Sequence, residues 1–334
     1  MSGVGFSPDT LHAATLDWLF APHHNDAVAD GAPVRAEDIA EIRAATATFD
    51  ELDRRFGGEH SRPIALTYLR DGVLPRLRGR YPDEVGRELH SAAAVLCELI
   101  GWMSYDAARH SLAQRYFVQA LRLARAAGDD AYGTYVLTSM SDQALFMQKP
   151  DQALRLAQIA RTRESGGPPT VLAEAAMLEA RAWAALGSRA EASGALQRAE
   201  HHFDRVVTGE LPPWASRFDS TVLASHAGTC WIALDRPAEA RRALSVVWNA
   251  VAEQPRRRAY AAVQLATVAV LEGDFDQACV LGSIAAEATS GMTSARARQH
   301  VTTFARRLQP HGAVPAVRDF NEQLRTLSMS GASA

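Results

Sequence analysis

The fold class read from the sequence is all-α, a solenoid of antiparallel helix pairs, and three observations predict it. A pattern of small and apolar residues at helical spacing recurs five times, with a second small residue twelve positions before each copy. Chain breakers fall between the two. The composition is 47% hydrophobic but only 7% aromatic, which favours close helix-on-helix contact through small side chains over sheets.

Taken in order, residues 1–36 hold one short helix, with Ser7 as its cap and Pro8 in its first turn, followed by a linker rich in Pro, Gly, Asp and His. Residues 37–327 form the solenoid. It opens with a divergent pair, Glu37 to Phe56 and Pro63 to Leu77, separated by Gly57-Gly58-Glu59-His60. Five clear repeats then occupy about 94–290. Thr293 to Leu308 and Val314 to Leu327 read as a final pair that caps the last repeat. Residues 328–334 are small and polar and read as a flexible tail.

In the five repeats the second helix carries Ala113, Phe117, Ala120; Ala153, Ala157, Ala160; Ala192, Leu196, Ala199; Ala240, Leu244, Val247; and Ala278, Gly282, Ala285. The steps are 40, 39, 48 and 38 residues. The first helix supplies Gly101, Ser141, Ala180, Gly228 and Ala266, small enough to let the two helices approach closely. Breakers stand at Lys149-Pro150-Asp151, Leu186-Gly187-Ser188, Asp235-Arg236-Pro237 and Glu272-Gly273-Asp274. The 48-residue step contains Thr208 to Trp214 as a loop inserted between helices. This phasing resembles the tetratricopeptide repeat, which implies a right-handed solenoid with a concave inner face.

Two stretches carry a narrower resemblance: Leu52-Asp-Arg-Arg-Phe-Gly-Gly-Glu-His-Ser-Arg62, and the run from Gly101-Trp-Met-Ser-Tyr-Asp to Leu121-Arg-Leu-Ala124. Over residues 36–325 the chain is similar to the sensor region of bacterial XRE-type regulators, which join a helix-turn-helix domain to tetratricopeptide repeats. The resemblance implies repeats that bind a signal or partner, and pairing of two chains through the repeats. About 35 residues precede the repeats here, too few for a helix-turn-helix domain, so the expectation is either a regulator that has lost that domain and acts through a partner or a processed or shortened form. Relatives that sense peptides hold the backbone with inner-face Asn side chains. The asparagines of this chain, Asn25, Asn249 and Asn321, fall outside the expected inner face.

First-helix positions three to four apart share one stripe and define the expected ligand groove. They are Glu98, Trp102, Tyr105 and Asp106, then Tyr135, Thr138, Asp142 and Phe146, then Glu174, Met177 and Arg181, with Ser225, Thr229, Tyr260 and Thr267 further along. The first two repeats are thus aromatic and acidic. Such a surface suits a cationic or amphipathic partner, for example an Arg-bearing peptide, because rings supply contact area while carboxylates orient a basic group. The alternative is that these rings pack between repeats. The expected partner is a protein, a peptide or a small signalling molecule, with a constitutive scaffold as the competing reading.

Other classes find less support. The net charge is −3, and the 35 basic residues, all Arg but Lys149, are dispersed among 38 acids, so direct nucleic-acid binding is not expected. Cys97, Cys230 and Cys279 are far apart and read as buried thiols in a reducing, cytoplasmic setting. No apolar run long enough to cross a membrane occurs. His226 and Cys230 have the i, i+4 spacing of two metal ligands, but no further ligand joins them in sequence, so no metal is expected. His23-His24 and His201-His202 read as solvated surface. Asp106 and His110 could form an acid–base pair, against which a cap or turn role competes. There is no nucleophile elbow, phosphate loop or dinucleotide fingerprint, and neither catalysis nor a cofactor is expected.

Overall fold

Local sequence decides where the helices begin. The protein is described by a computed structural model over residues 6–20, 31–162, 167–207 and 211–331. Its helices are α1 (Pro8–Phe20), α2 (Ala36–Phe56), α3 (Gly58–Tyr68), α4 (Leu74–Leu77), α5 (Asp83–Asp106), α6 (His110–Ala127), α7 (Asp130–Phe146) and α8 (Pro150–Arg161). They continue with α9 (Pro169–Ala185), α10 (Arg189–Phe203), α11 (Ser220–Ala233), α12 (Pro237–Ala250), α13 (Pro255–Glu272), α14 (Phe275–Ser290), α15 (Ala295–Leu308) and α16 (Pro315–Gly331). α8, α9, α12 and α13 open on a proline, whose missing N–H would have no partner in a first turn anyway. α7, α11, α14 and α15 are capped by the side chains of Asp129, Asp219, Asp274 and Ser294. Among the described residues the only β pairing is an isolated bridge between Pro33 and Arg80.

The helices pack as consecutive pairs, and the phasing read from small residues reappears in the backbone. Seven positions after each of Gly101, Ser141, Ala180, Gly228 and Ala266 the chain turns through positive φ: Ala108 (57°), Gln148 (57°), Gly187 (78°), Asp235 (55°) and Gly273 (80°). The next N–H then reaches back five residues, as in Arg109 to Ser104 (2.8 Å) and Asp274 to Ala269 (2.9 Å), closing the first helix in a Schellman turn. Only two of the five turns use glycine. The small residues themselves are required by contact, since a Cβ on Gly101 would lie 2.6 Å from the Phe117 ring and one on Gly228 would lie 2.5 Å from Leu244 Cγ.

First helices contact their neighbours in the sequence α5, α7, α9, α11, α13, α15, and α15 returns to contact α5. The inner helices therefore complete a circuit instead of leaving an open groove. The pair α15–α16 is its sixth member, with α16 packed on α14, so it closes the array where a terminal cap was expected. Packing is apolar along the chain but divided: one cluster runs from α1 to α9, a second occupies α9 to α11, a third covers α12 to α16, and a small fourth gathers Val247, Val251 and Ala261 where α12 meets α13. Trp183 touches the first two, and Trp231 touches the second and third.

Several boundaries differ from expectation. The break after α2 is Gly57 alone (φ 91°), and α3 begins at Gly58, with Pro63 inside it. Gly58 is pressed against α5, where any Cβ would lie 2.3 Å from the Met103 carbonyl oxygen. A single π turn, Leu69–Val73, links α3 to α4. α1 is docked on α6: Gln114 accepts the Ser7 N–H at 2.9 Å, and Leu11 is fully buried. α16 runs to Gly331, through the start of the expected tail; residues 332–334 lie outside the described residues.

Two outcomes are expected from this geometry. Gly101→Ala should destabilise the protein by about 1–3 kcal/mol in denaturant unfolding, because Phe117 is fully buried and cannot yield to the methyl. Gln148→Gly should stabilise it by roughly 0.5–1 kcal/mol, the left-handed strain relieved less the added chain entropy of glycine; a lowered midpoint would show that the φ of 57° costs less than glycine's added entropy.

Candidate binding site on the inner face

The stripe of first-helix residues does converge on the inside of the circuit, and much of it is buried. Glu98, Tyr105, Asp106, Tyr135 and Thr138 are each less than 5% exposed, whereas Trp102, Asp142, Phe146, Glu174, Arg181 and Tyr260 keep partial exposure. Met177 is in the apolar core and Thr267 is buried. Thr138 and Thr267 give their hydroxyls to carbonyls of their own helices, so neither is free for a ligand. Ser225 and Thr229 are tied to Gln264 of α13 at 3.0 and 2.7 Å.

The acids of this face are met by arginines of the same chain. Asp142 accepts from Arg181 (2.5 Å) and from the Tyr105 hydroxyl (3.2 Å). Glu98 accepts from Ser139 (2.9 Å), whose hydroxyl also receives the Trp102 indole N–H (3.1 Å), and stands 3.8 Å from Arg217. Arg217 also donates to Asp50 of α2 at 2.9 Å. It lies in a short 3-10 turn, Ala215–Arg217, directly after the inserted loop and its Trp214, whose ring lies 5.0 Å from Tyr132 and 5.2 Å from Tyr135. Trp214, at the end of the expected insertion, and Arg217 just after it thus lie on the inner face beside the first two repeats.

Arg296 of α15 occupies the centre of the aromatic region. Its guanidinium carbon is 5.4 Å from the Trp102 ring centroid, 4.8 Å from Tyr105 and 5.4 Å from Tyr260. Each is within range of a cation–π attraction. Its nitrogens approach Asp106 at 3.6 Å and Asp142 at 3.9 Å. His300, one turn on, packs edge-on against Tyr260 at 5.1 Å and lies beside Phe146 at 5.6 Å.

Asp106 joins the ends of the circuit. Its two carboxylate oxygens accept the Ser294 hydroxyl (2.7 Å) at the start of α15 and the Gly58 N–H (3.3 Å) at the start of α3, and Arg256 of α13 lies 3.8 Å away. Arg256 also bonds Asp53 of α2 at 3.4 Å, and Thr293 donates to the Phe56 carbonyl. The role found for Asp106 is therefore a cap on a helix distant in sequence. His110 lies instead against the rings of Tyr105 and Phe146.

Electrostatics follow burial. Burial favours the neutral Asp142 carboxyl, but Arg181 and Arg296 outweigh it and hold the group down at about 2. Glu174 is less well met: burial, then the charges of Asp142 and Glu98, outweigh Thr138 and Arg217 and raise it to about 8. Burial and then Arg181 push His226 down to about 3, and burial and then Arg296 push His300 to about 4. Burial raises the thiols of Cys97 and Cys230 to about 12. His226 stacks on Phe218 at 6.3 Å, and among the described residues no group of three His, Cys, Asp or Glu is placed to hold a metal ion. The pair His23-His24 lies outside the described residues. A separate cavity of about 490 Å³ lies between α8, α9 and α10 beside Trp183, where Glu179 bridges Arg161 (3.2 Å) and Arg198 (3.1 Å).

The residues missed in the sequence, Arg217, Arg256, Arg296 and His300, lie just after the inserted loop, at the start of α13, and on a pair read as a cap. Only the stripe rule extended to α15 could have singled out Arg296.

Because Glu174 titrates near 8 when folded and near 4.5 otherwise, the folded state holds the extra proton between these values. Stability should accordingly fall as pH rises from 4.5 to 8. Glu174→Gln should exceed wild type by on the order of 4 kcal/mol at pH 8 and match it near pH 4.5 in urea unfolding; parallel pH curves for the two proteins would refute the assignment. Comparison with protein-family models finds no family that matches this chain, and comparison with curated proteins finds no match.

Proposed function

We propose that this chain is a non-catalytic regulatory module of the tetratricopeptide type, a right-handed solenoid whose inner face binds a peptide, a protein segment or a small signal. It acts in transcriptional control through a partner in the cytoplasm, without contacting nucleic acid itself. The observation that carries the reading is the convergence of Trp102, Tyr105, Asp142, Arg181, Tyr260 and Arg296 on one partly exposed inner surface. Helix pairs held by alanine, leucine and phenylalanine do not need buried charge, which costs desolvation and seldom adds net stability. Charge kept there at such a cost is best explained by recognition.

The chemistry of the same surface favours binding over turnover. Histidines held neutral down to about 3 and 4 are poor proton shuttles near neutrality, and thiols raised to about 12 are poor nucleophiles. No helix of the described residues is long and apolar enough to cross a membrane. The second reading, a constitutive scaffold with no sensing role, is favoured by one observation: the inner acids already have internal arginine partners, which leaves the outer helices as the accessible surface.

Protein isolated from its native cells, before and after stripping of bound material by unfolding and refolding, separates the two. A sensor is expected to change its small-angle scattering profile and melting temperature on stripping, and the released material is identified by mass spectrometry. Identical profiles and melting curves would support the scaffold.

A further inference from the structure

Arg296 is an imperfect occupant of a well-formed site. Three rings surround its guanidinium, and two carboxylates face it, yet both stand at 3.6 Å or beyond and Nε makes no hydrogen bond. The planar fork that could bind a carboxylate through two parallel N–H groups makes no such paired bond here. The closure it belongs to is also of a different kind from the rest of the fold. Neighbouring pairs share apolar clusters, but no cluster spans the seam between α5 and α15. The contacts there are polar, Ser294 and Arg296 to Asp106, and beside them Thr293 reaches the Phe56 carbonyl of α2 and Arg256 of α13 reaches Asp53 of α2.

We propose that the cage of Trp102, Tyr105, Tyr260, Asp106 and Asp142 is a guanidinium-recognition site with Arg296 as its internal occupant. An arginine-bearing peptide segment of a partner exchanges with Arg296 and thereby opens the seam between α5 and α15. This deepens the reading of the inner face as a binding surface and rests on it. A tethered side chain competes at an effective concentration in the millimolar range, so a lone guanidinium cannot displace it. A peptide can, because it adds contacts along the inner face and can form the hydrogen bonds that Arg296 leaves unmade.

The test vacates the cage in the full chain and then challenges the intact one. Arg296→Ala is expected to melt below wild type and to regain stability in proportion to added methylguanidinium, with little response to methylammonium, which has the charge without the fork. Adding Trp102→Leu should abolish the response. Should Arg296→Ala not fold alone, recovery of helicity on adding methylguanidinium is the supporting result and continued unfolding the opposing one. In wild type, a hexa-arginine peptide should speed amide hydrogen exchange across residues 293–300 while hexa-lysine does not. Arg296→Lys, which keeps the charge and the stem, should respond to hexa-arginine at lower concentration. An Arg296→Ala protein indifferent to methylguanidinium, or equally sensitive to methylammonium, overturns the recognition site. Seam amides unmoved by hexa-arginine overturn the exchange. Either failure, with a shape change on stripping the native protein, would leave inner-face binding intact with a different ligand class.

Discussion

The structure depends on one buried carboxylate. Asp106 stands five positions after the small residue of its repeat, where the later repeats carry Phe146, Ala185, Ala233 and Leu271. Only this unit has a charge at the position, and it is only 3% exposed. Its oxygens hold the start of α3 and the start of α15 at once, with two arginines beside it. A buried acid without such partners would carry a heavy desolvation penalty, so Asp106 and the two helix starts that it joins depend on one another. That meeting is what brings α15 back to α5 and completes the circuit of inner helices.

Two kinds of cohesion are therefore separated in space. Within and between successive helix pairs the contacts are alanine against phenylalanine or leucine, set by glycine and alanine at the crossing points and repeated by the same left-handed turn. These are short-range in sequence and insensitive to salt. Across the circuit the contacts join residues up to 237 positions apart and run through hydroxyls, carboxylates and guanidinium groups. Their strength depends on ionisation and on how much water reaches them.

What was legible in the sequence follows the same division. The helix pairs could be read because close approach demands small residues at fixed spacing, and Gly101 over Phe117 and Gly228 over Leu244 satisfy that demand locally. The inner stripe could be read from helical periodicity, and it gathers on one face. Its partners could not be read, since Ser294 and Arg296 reach Asp106 only through the accumulated curvature of every intervening pair. The loop before α11 illustrates the limit: its length marks it as an insertion, but nothing local shows that Trp214 and Arg217 turn inward onto Tyr135 and Glu98. At Gly57-Gly58 the composition suggested a long break, whereas the second glycine is there for contact with α5.

Closure also bears on how such a chain can change over evolutionary time. An open array of helix pairs tolerates the gain or loss of a unit, since each touches only its neighbours. Here the return of α15 to α5 makes the number of pairs part of the design. A duplicated or deleted pair would carry Ser294 away from Asp106 and leave a buried charge unmet, so variation is channelled into the outer helices and the inserted loop, and the count of units is held fixed.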